Sequence, residues 1–288
     1  AQTKVEVLLD WFINPDHAPL IIAQQRGYFD EAGLAVTMIE PADPSAPPKL
    51  LAAGQGDFAI SYQPQMYFQR EAGLPLRAVA VLVDQPLNSL VVLADGPVKS
   101  IADLKGANIG YSVGGFETAV AGAMLGTAGL SEDDVTLINI NFALTQSLLT
   151  KRVDAVIGAF RNFELNQLEL NKSEGLAFFP EDYGVPTYDE LVVLAREGDV
   201  SSDTTTAFVA ALSKAAADLK ADPEGTWTDY TSYRDGLDTE LNVRAWKDTI
   251  PLLAADPTAL SAEKYDAFGA FMQASGLIKK ALPADQYI

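Results

Sequence analysis

Short apolar runs alternate with helical stretches along most of the chain, and this alternation constrains the fold more than any other feature. Val5-Glu6-Val7-Leu8-Leu9 reads as a buried strand, and an aromatic turn, Asp10 to Pro15, follows it. A helix is expected from an N-cap at Asp16, with Pro19 in its first turn, to Gly27. Strands are expected at Leu34–Ile39, Asp57–Ile60, Leu76–Val83, Leu90–Leu93, Asn108–Tyr111, Val135–Ile140 and Asp154–Ile157, with helices between them. Strands separated by helices pair mainly in parallel, so the chain reads as α/β. A strand, a turn and a helix N-terminus in succession also present residues beyond the strand ends, where open sheets take ligands.

An internal echo divides the chain. Leu50-Leu51 followed by Asp57-Phe58-Ala59-Ile60 is matched by Leu148-Leu149 followed by Asp154-Ala155-Val156-Ile157, and the two aspartates stand 97 positions apart. That interval is the size of one small α/β lobe. No linker-like run separates two such lobes, so short crossings are expected near Asn88-Ser89 and Tyr188-Asp189. The expected division is residues 1–88 with 189–288 as one lobe and 89–188 as the other. The last hundred residues read as mostly helical, with Ser202-Asp203 capping a helix through Leu219 and further helices near 241–254 and 261–275.

Composition excludes several classes. With 39 acidic against 20 basic residues the formal charge is −19, which disfavours nucleic acid or an anionic membrane as partner. There is no cysteine, so no disulfide, thiolate metal site or cysteine nucleophile, and a single histidine leaves little for zinc. No apolar stretch reaches the roughly 18 residues that insertion across a bilayer requires. The start Ala1-Gln2-Thr3-Lys4 fits a secreted, periplasmic protein after signal removal, an expectation that a trimmed chain would match equally. Phosphate-loop, nucleophile-elbow, zinc-protease and dinucleotide motifs are missing. The turn Ser112-Val113-Gly114-Gly115 could hold an anion or polar group on its backbone N–H groups, although any sharp strand-helix turn favours glycine. Glu164 follows the strand at Asp154–Ile157 and is either a ligand acceptor or a solvated helix residue.

Several motifs together resemble the thiamine-pyrimidine family. They are W-x-x-N-x-x-H-A-P-L from Trp11 to Leu20, R-G-Y-F from Arg26 to Phe29, G-x-G-D-F-A-I from Gly54 to Ile60, and L-K-G-x-x-I-G-Y from Leu104 to Tyr111. The resemblance runs to about Glu197. The family joins binding proteins of bacterial ABC importers for pyrimidine precursors with a fungal pyrimidine synthase. It implies a type II periplasmic-binding-protein fold with a ligand cleft between two lobes. The synthase branch uses a lysine holding pyridoxal phosphate and a histidine consumed four residues later, where this chain has Ser61 and Gln65. Its cysteine-rich segment would fall at Val185–Asp189, and no cysteine is present. The importer branch is therefore expected: a monomer without cofactor, partnered by a membrane permease, capturing hydroxymethylpyrimidine or its formylamino precursor. The alternatives are an alkyl sulfonate, nitrate or riboflavin-like ligand, or a synthase-like enzyme.

For a flat aminopyrimidine, Trp11 and Phe116 are the expected stacking partners. Asn14, Ser112, Asn162 and Glu164 are candidates for its amino group and ring nitrogens. Tyr62 and Tyr188 complete the expected site, and His17 is either a ligand contact or a structural group.

Overall fold

The computed structural model describes residues 1–288 and divides them into two compact units. The first comprises residues 1–85, 188–266 and 282–288, and the second residues 86–187 and 267–281. The boundaries differ from the expected ones. Residues 86–88 and the stretch 267–281 cluster with the second unit, and Tyr188 clusters with the first. The helix Ala262–Ala274 runs through one boundary, so continuous helical periodicity gives no sign of it in the sequence.

The chain first builds β1 (Thr3–Leu8), β2 (Leu34–Ile39), β3 (Phe58–Ser61) and β4 (Leu76–Val83). It then builds β5 (Asn88–Leu93), β6 (Asn108–Tyr111), β7 (Thr136–Asn139), β8 (Ala155–Phe160) and β9 (Gly175–Phe178), and β10 (Leu191–Arg196) follows. The first unit's sheet has the order β2-β1-β3-β10-β4, and the second has β7-β6-β8-β5-β9. The sheets are mixed: in each, four strands run one way, as the expected parallel pairing implies, and one runs against them. β10 runs antiparallel to β3 and β4, and β5 runs antiparallel to β8 and β9. Each of these is the first strand after the chain enters its unit, and it joins the sheet from the edge where the parallel strands end. β10 is absent from the strands expected from sequence, although Leu191-Val192-Val193-Leu194-Ala195 is fully buried.

The two aspartates of the sequence echo have matching roles. Asp57 Oδ2 accepts the Glu6 N–H at 2.8 Å, and the Asp57 N–H donates back to the Glu6 carbonyl at 2.9 Å. Asp154 does the same with Asn108, at 2.8 and 2.9 Å. Each aspartate thereby fixes the register of a parallel pair, β1 with β3 and β6 with β8.

Helices complete each core. On the first sheet Phe208, from the helix Asp203–Ala221, stacks between Phe58 at 4.3 Å and Phe29 at 5.2 Å. Ser202 caps that helix by accepting the Thr205 N–H. Tyr230 and Trp246 are buried and Trp227 half-buried, in one aromatic cluster with centroids 5.1–5.8 Å apart. Near the unit boundaries, Lys264 Nζ donates to the Asp84 carbonyl at 2.7 Å and to Asp189 Oδ1 at 2.8 Å. Gln63 brackets the same residue, its side-chain oxygen accepting the Asp189 N–H at 2.7 Å and its own N–H donating to the Asp189 carbonyl. Burial pushes the Asp189 carboxyl above its ordinary range, and the Lys264 ammonium opposes that rise. No helix is long and apolar enough to cross a membrane.

Candidate functional site

In the first unit the expected site residues gather where β1 and β3 end. β1 leads into Asp10 and Trp11, and β3 leads into Tyr62. Asp10 is buried and accepts from two side chains, His17 Nε2 at 2.7 Å and the Tyr62 hydroxyl at 2.9 Å. His17 Nδ1 accepts the Asn14 N–H at 3.3 Å, which leaves the ring proton on Nε2 facing Asp10. His17 has no exposed surface. Its two hydrogen bonds tie the aromatic turn to the strand end. Asn14, rather than Asp16, is the cap. Its side-chain oxygen accepts the Asp16 N–H at 2.9 Å, and its amide donates to the Phe12 carbonyl at 2.8 Å. Pro15 then opens a 3₁₀ turn, Pro15–His17, and the α-helix starts only at Ala18.

This scaffold presents two rings. Trp11 is half-buried, and Phe12 is 45% exposed, edge-on to Trp11 with centroids 6.3 Å apart. Phe12 does not stand out in the sequence, where it reads as an ordinary core aromatic. A second support is also hidden there: Glu40, after β2, accepts the Ile13 N–H at 2.8 Å and pairs with Arg234 at 2.8 and 3.1 Å. Arg234 and the Ile13 N–H together hold the Glu40 carboxyl below its ordinary value of 4.5, against the opposing effect of partial burial. Tyr188 is fully buried in this unit, and its hydroxyl donates to Glu190 at 3.1 Å.

In the second unit Ser112, Asn162 and Glu164 follow the ends of the neighbouring strands β6 and β8. β8 extends three residues beyond the expected Ile157, to Phe160, yet Asn162 and Glu164 still lie past its end. Glu164 is the first residue of the helix Glu164–Leu170, and its Oε2 accepts the Phe160 N–H at 3.0 Å. Asn162 is buried, its carbonyl accepting from the Asn166 amide at 2.9 Å. The Ser112 hydroxyl donates to the Asn141 carbonyl. Phe116 is only 1% exposed. Two residues not singled out in the sequence matter here. Glu117 fills the Ser112–Val113 turn, and Arg161 joins the Leu87 and Asn88 carbonyls to Glu181 while lying 3.7 Å over the Phe179 ring.

Ser61, which the resemblance sets against the synthase lysine, ends β3 with a buried hydroxyl, which cannot form a Schiff base. Gln65, in the first turn of the next helix, supplies no imidazole.

The profile of proteins described as NMT1/THI5 like matches residues 14–226. The chain belongs to this family. A Haemophilus influenzae protein named for thiamine biosynthesis is 54% identical over 288 residues, all of this chain and 92% of its own length. A formylaminopyrimidine-binding protein of Halalkalibacterium halodurans is 37% identical over 200 residues, 69% of this chain and 61% of its own. A 4-amino-5-hydroxymethyl-2-methylpyrimidine phosphate synthase of Uromyces fabae is 26% identical over 83% of this chain and 73% of its own. Among solved structures, an alkanesulfonate-binding protein from Xanthomonas axonopodis pv. citri, bound to MOPS, superposes with a TM-score of 0.78. It is 17% identical and the match covers 100% of this chain and 99% of that one. A Candida albicans protein described as having the generic periplasmic-binding-protein fold gives a TM-score of 0.74 at 16% identity, covering 99% and 93%. This chain thus has a periplasmic-binding-protein fold, carried by its two five-stranded mixed sheets.

Proposed function

We propose that this chain is an extracytoplasmic solute-binding protein that captures a thiamine-type aminopyrimidine, hydroxymethylpyrimidine or its formylamino precursor, for an ABC importer. The observation that carries the reading is the 37% identity to a protein named for binding formylaminopyrimidine. The chemistry of the strand ends supports it. Trp11 offers a ring face beside the exposed Phe12, and a flat heterocycle gains by stacking on such a surface. The carboxylate of Glu164 and the amide of Asn162 are the groups that suit an exocyclic amine and ring nitrogens. The buried Asp10, His17 and Tyr62 hold Trp11 in place rather than meet the ligand.

An enzymatic reading draws on the phosphate synthases, which are similar at lower identity. Ser61 and Gln65 argue against it, because the first carries no amine and the second no imidazole. A membrane permease is the partner that an importer requires.

Thermal denaturation with a panel of aminopyrimidines, alkyl sulfonates and flavins tests the proposal, since a ligand of the folded state alone raises Tm. Stabilisation by an aminopyrimidine and by no other class is expected. Stabilisation by a sulfonate alone would overturn the ligand assignment. A Schiff-base absorbance on adding pyridoxal phosphate would reopen the enzymatic reading.

A further inference from the structure

The turn from β6 into the helix Phe116–Gly126 has the geometry with which strand-helix turns hold anions. Successive backbone N–H groups lie at the positive end of an eleven-residue helix. In this chain the place is already taken. Glu117 folds back from the first turn of the helix, and its Oε1 accepts both the Ser112 N–H at 2.8 Å and the Val113 N–H at 2.9 Å. The next donor, the Gly115 N–H, is directed to Thr118 Oγ1 at 3.2 Å. The Glu117 side chain is almost completely buried.

The neighbouring strand is shaped to admit this carboxylate. Gly158 of β8 lies against it, and a Cβ at residue 158 would fall 2.5 Å from the Glu117 carboxyl atoms. Gly158 also has a φ of 102°, a conformation that side-chain-bearing residues rarely adopt. Two separate features, the folded-back glutamate and the glycine in a strand interior, therefore place one fixed negative charge where a ligand anion would sit.

We infer that Glu117 is a specificity-determining residue that excludes anionic ligands from the second unit and restricts the protein to neutral or cationic ones. The inference rests on the aminopyrimidine reading and supplies the residue that keeps phosphorylated forms of the pyrimidine out. A phosphate or sulfonate brought to this turn finds its donors occupied and meets a like charge in a site shielded from water, where repulsion is strongest. The contrast is with relatives of this chain named as pyrimidine phosphate synthases and with a protein of the same fold named for alkanesulfonate binding.

The test compares the parent with Glu117→Gln and Glu117→Ala by calorimetry and thermal denaturation. The probes are 4-amino-5-hydroxymethyl-2-methylpyrimidine, its phosphate ester and inorganic sulfate. One oxygen of Glu117 accepts both N–H groups, so the glutamine variant can keep both hydrogen bonds while losing the charge. The parent is expected to bind the neutral pyrimidine at least tenfold more tightly than the ester and to gain no Tm from sulfate. Glu117→Gln should reduce that preference at least tenfold, and Glu117→Ala should become stabilised by sulfate. A parent that binds ester and neutral pyrimidine equally overturns the inference, as does a folded Glu117→Gln with undiminished preference. Should Glu117→Ala not fold, the glutamine variant decides the result. If the parent binds no pyrimidine at all, the functional reading fails by itself. The sulfate response of Glu117→Ala against the parent then still decides whether Glu117 bars anions: a gain supports the inference and no gain overturns it.

Discussion

Asp57 and Asp154 occupy equivalent places in the two sheets, each accepting at 2.8 Å the backbone N–H of a residue in the adjacent parallel strand. The sheets also share one strand order, with the incoming antiparallel strand fourth of five in each. The echo in the sequence thus marks a repeated structural unit and not a chance recurrence of helix-turn-strand.

This equivalence predicts similar costs at the two positions. Asp57→Ala and Asp154→Ala each remove a charged acceptor that is partly or wholly solvated, so each should cost about 0.5–1.5 kcal/mol. The asparagine variants, which keep an acceptor oxygen, should cost less. Urea denaturation of the four variants measures this, and an effect at Asp57 alone would show that the two units do not use the motif alike.

The Asp10 cluster predicts a separation of stability from binding. Tyr62→Phe leaves a buried carboxylate with one hydrogen bond fewer and should lower stability by about 1–3 kcal/mol. His17→Leu removes the 2.7 Å partner and frees the Asn14 end of the turn, so it should cost more. If Asp10, Tyr62 and His17 only position Trp11, pyrimidine affinity should fall less in Tyr62→Phe than in Trp11→Ala. Denaturation and calorimetry on the same samples give both numbers.

Much of this architecture was legible in the sequence. Leu34–Ile39, Leu76–Val83 and Asn108–Tyr111 are strands over the expected bounds, the first two because each is a mostly apolar run with turn residues at its ends. What was hidden depends on long-range partners. Glu117 in a first helical turn reads as solvated, and only the approach of Gly158 from β8 shows why it is buried. Glu40 reads as a loop residue until Arg234, 194 positions away, is seen against it. Asn14 outcompetes Asp16 as the cap because Pro15 starts a 3₁₀ turn first, a local choice that helix-start rules applied to the α-helix alone pass over.

Glu40 predicts an acid-sensitive support for the Trp11–Phe12 turn. Its carboxyl lies below the ordinary value of 4.5 in the folded chain, mainly through Arg234 and the Ile13 N–H. A depressed folded pKa contributes stability that is complete above the unfolded value and lost as pH falls through the folded one. The Tm difference between the parent and Glu40→Gln should therefore be constant from pH 7 to about 5 and vanish as pH drops further. A difference that persists at pH 2.5 would mean that the charge is not what Glu40 contributes.

Lys264 predicts a second defect that shrinks in acid, for the opposite electrostatic reason. Asp189 is buried and its carboxyl is raised by desolvation, with the Lys264 ammonium at 2.8 Å limiting the rise. Lys264→Met leaves that carboxylate without a counter-charge and should cost about 3–5 kcal/mol at neutral pH. For a carboxyl whose folded pKa is raised, the penalty is absent below the unfolded pKa and grows as pH rises through the folded one. The defect of Lys264→Met should accordingly shrink in acid, and adding Asp189→Asn should recover much of it at pH 7. Denaturation at pH 4 and pH 7 distinguishes this from a simple loss of packing, which would not depend on pH.

Glu164 gives the sharpest test of the proposed binding site, because two roles are open to its carboxylate. One oxygen accepts the Phe160 N–H at 3.0 Å and joins the end of β8 to the following helix. A purely structural Glu164 would make only contacts within the fold, of which this is one. A ligand-binding Glu164 would also accept from the amino group or a protonated ring nitrogen of the pyrimidine, as a charge-assisted hydrogen bond. Glu164→Gln keeps an oxygen for Phe160 and so should leave Tm nearly unchanged. It removes the charge offered to the ligand, and affinity should fall roughly ten- to a hundredfold, the equivalent of about 1.5–3 kcal/mol. Trp11→Ala should lose a comparable amount through stacking but should weaken any flat ligand alike. Calorimetry with an aminopyrimidine and with an unrelated planar heterocycle separates the two effects. If Glu164→Gln stays folded and binds the pyrimidine as tightly as the parent, the residue is a strand-end tie and the polar contacts to the ligand must come from elsewhere.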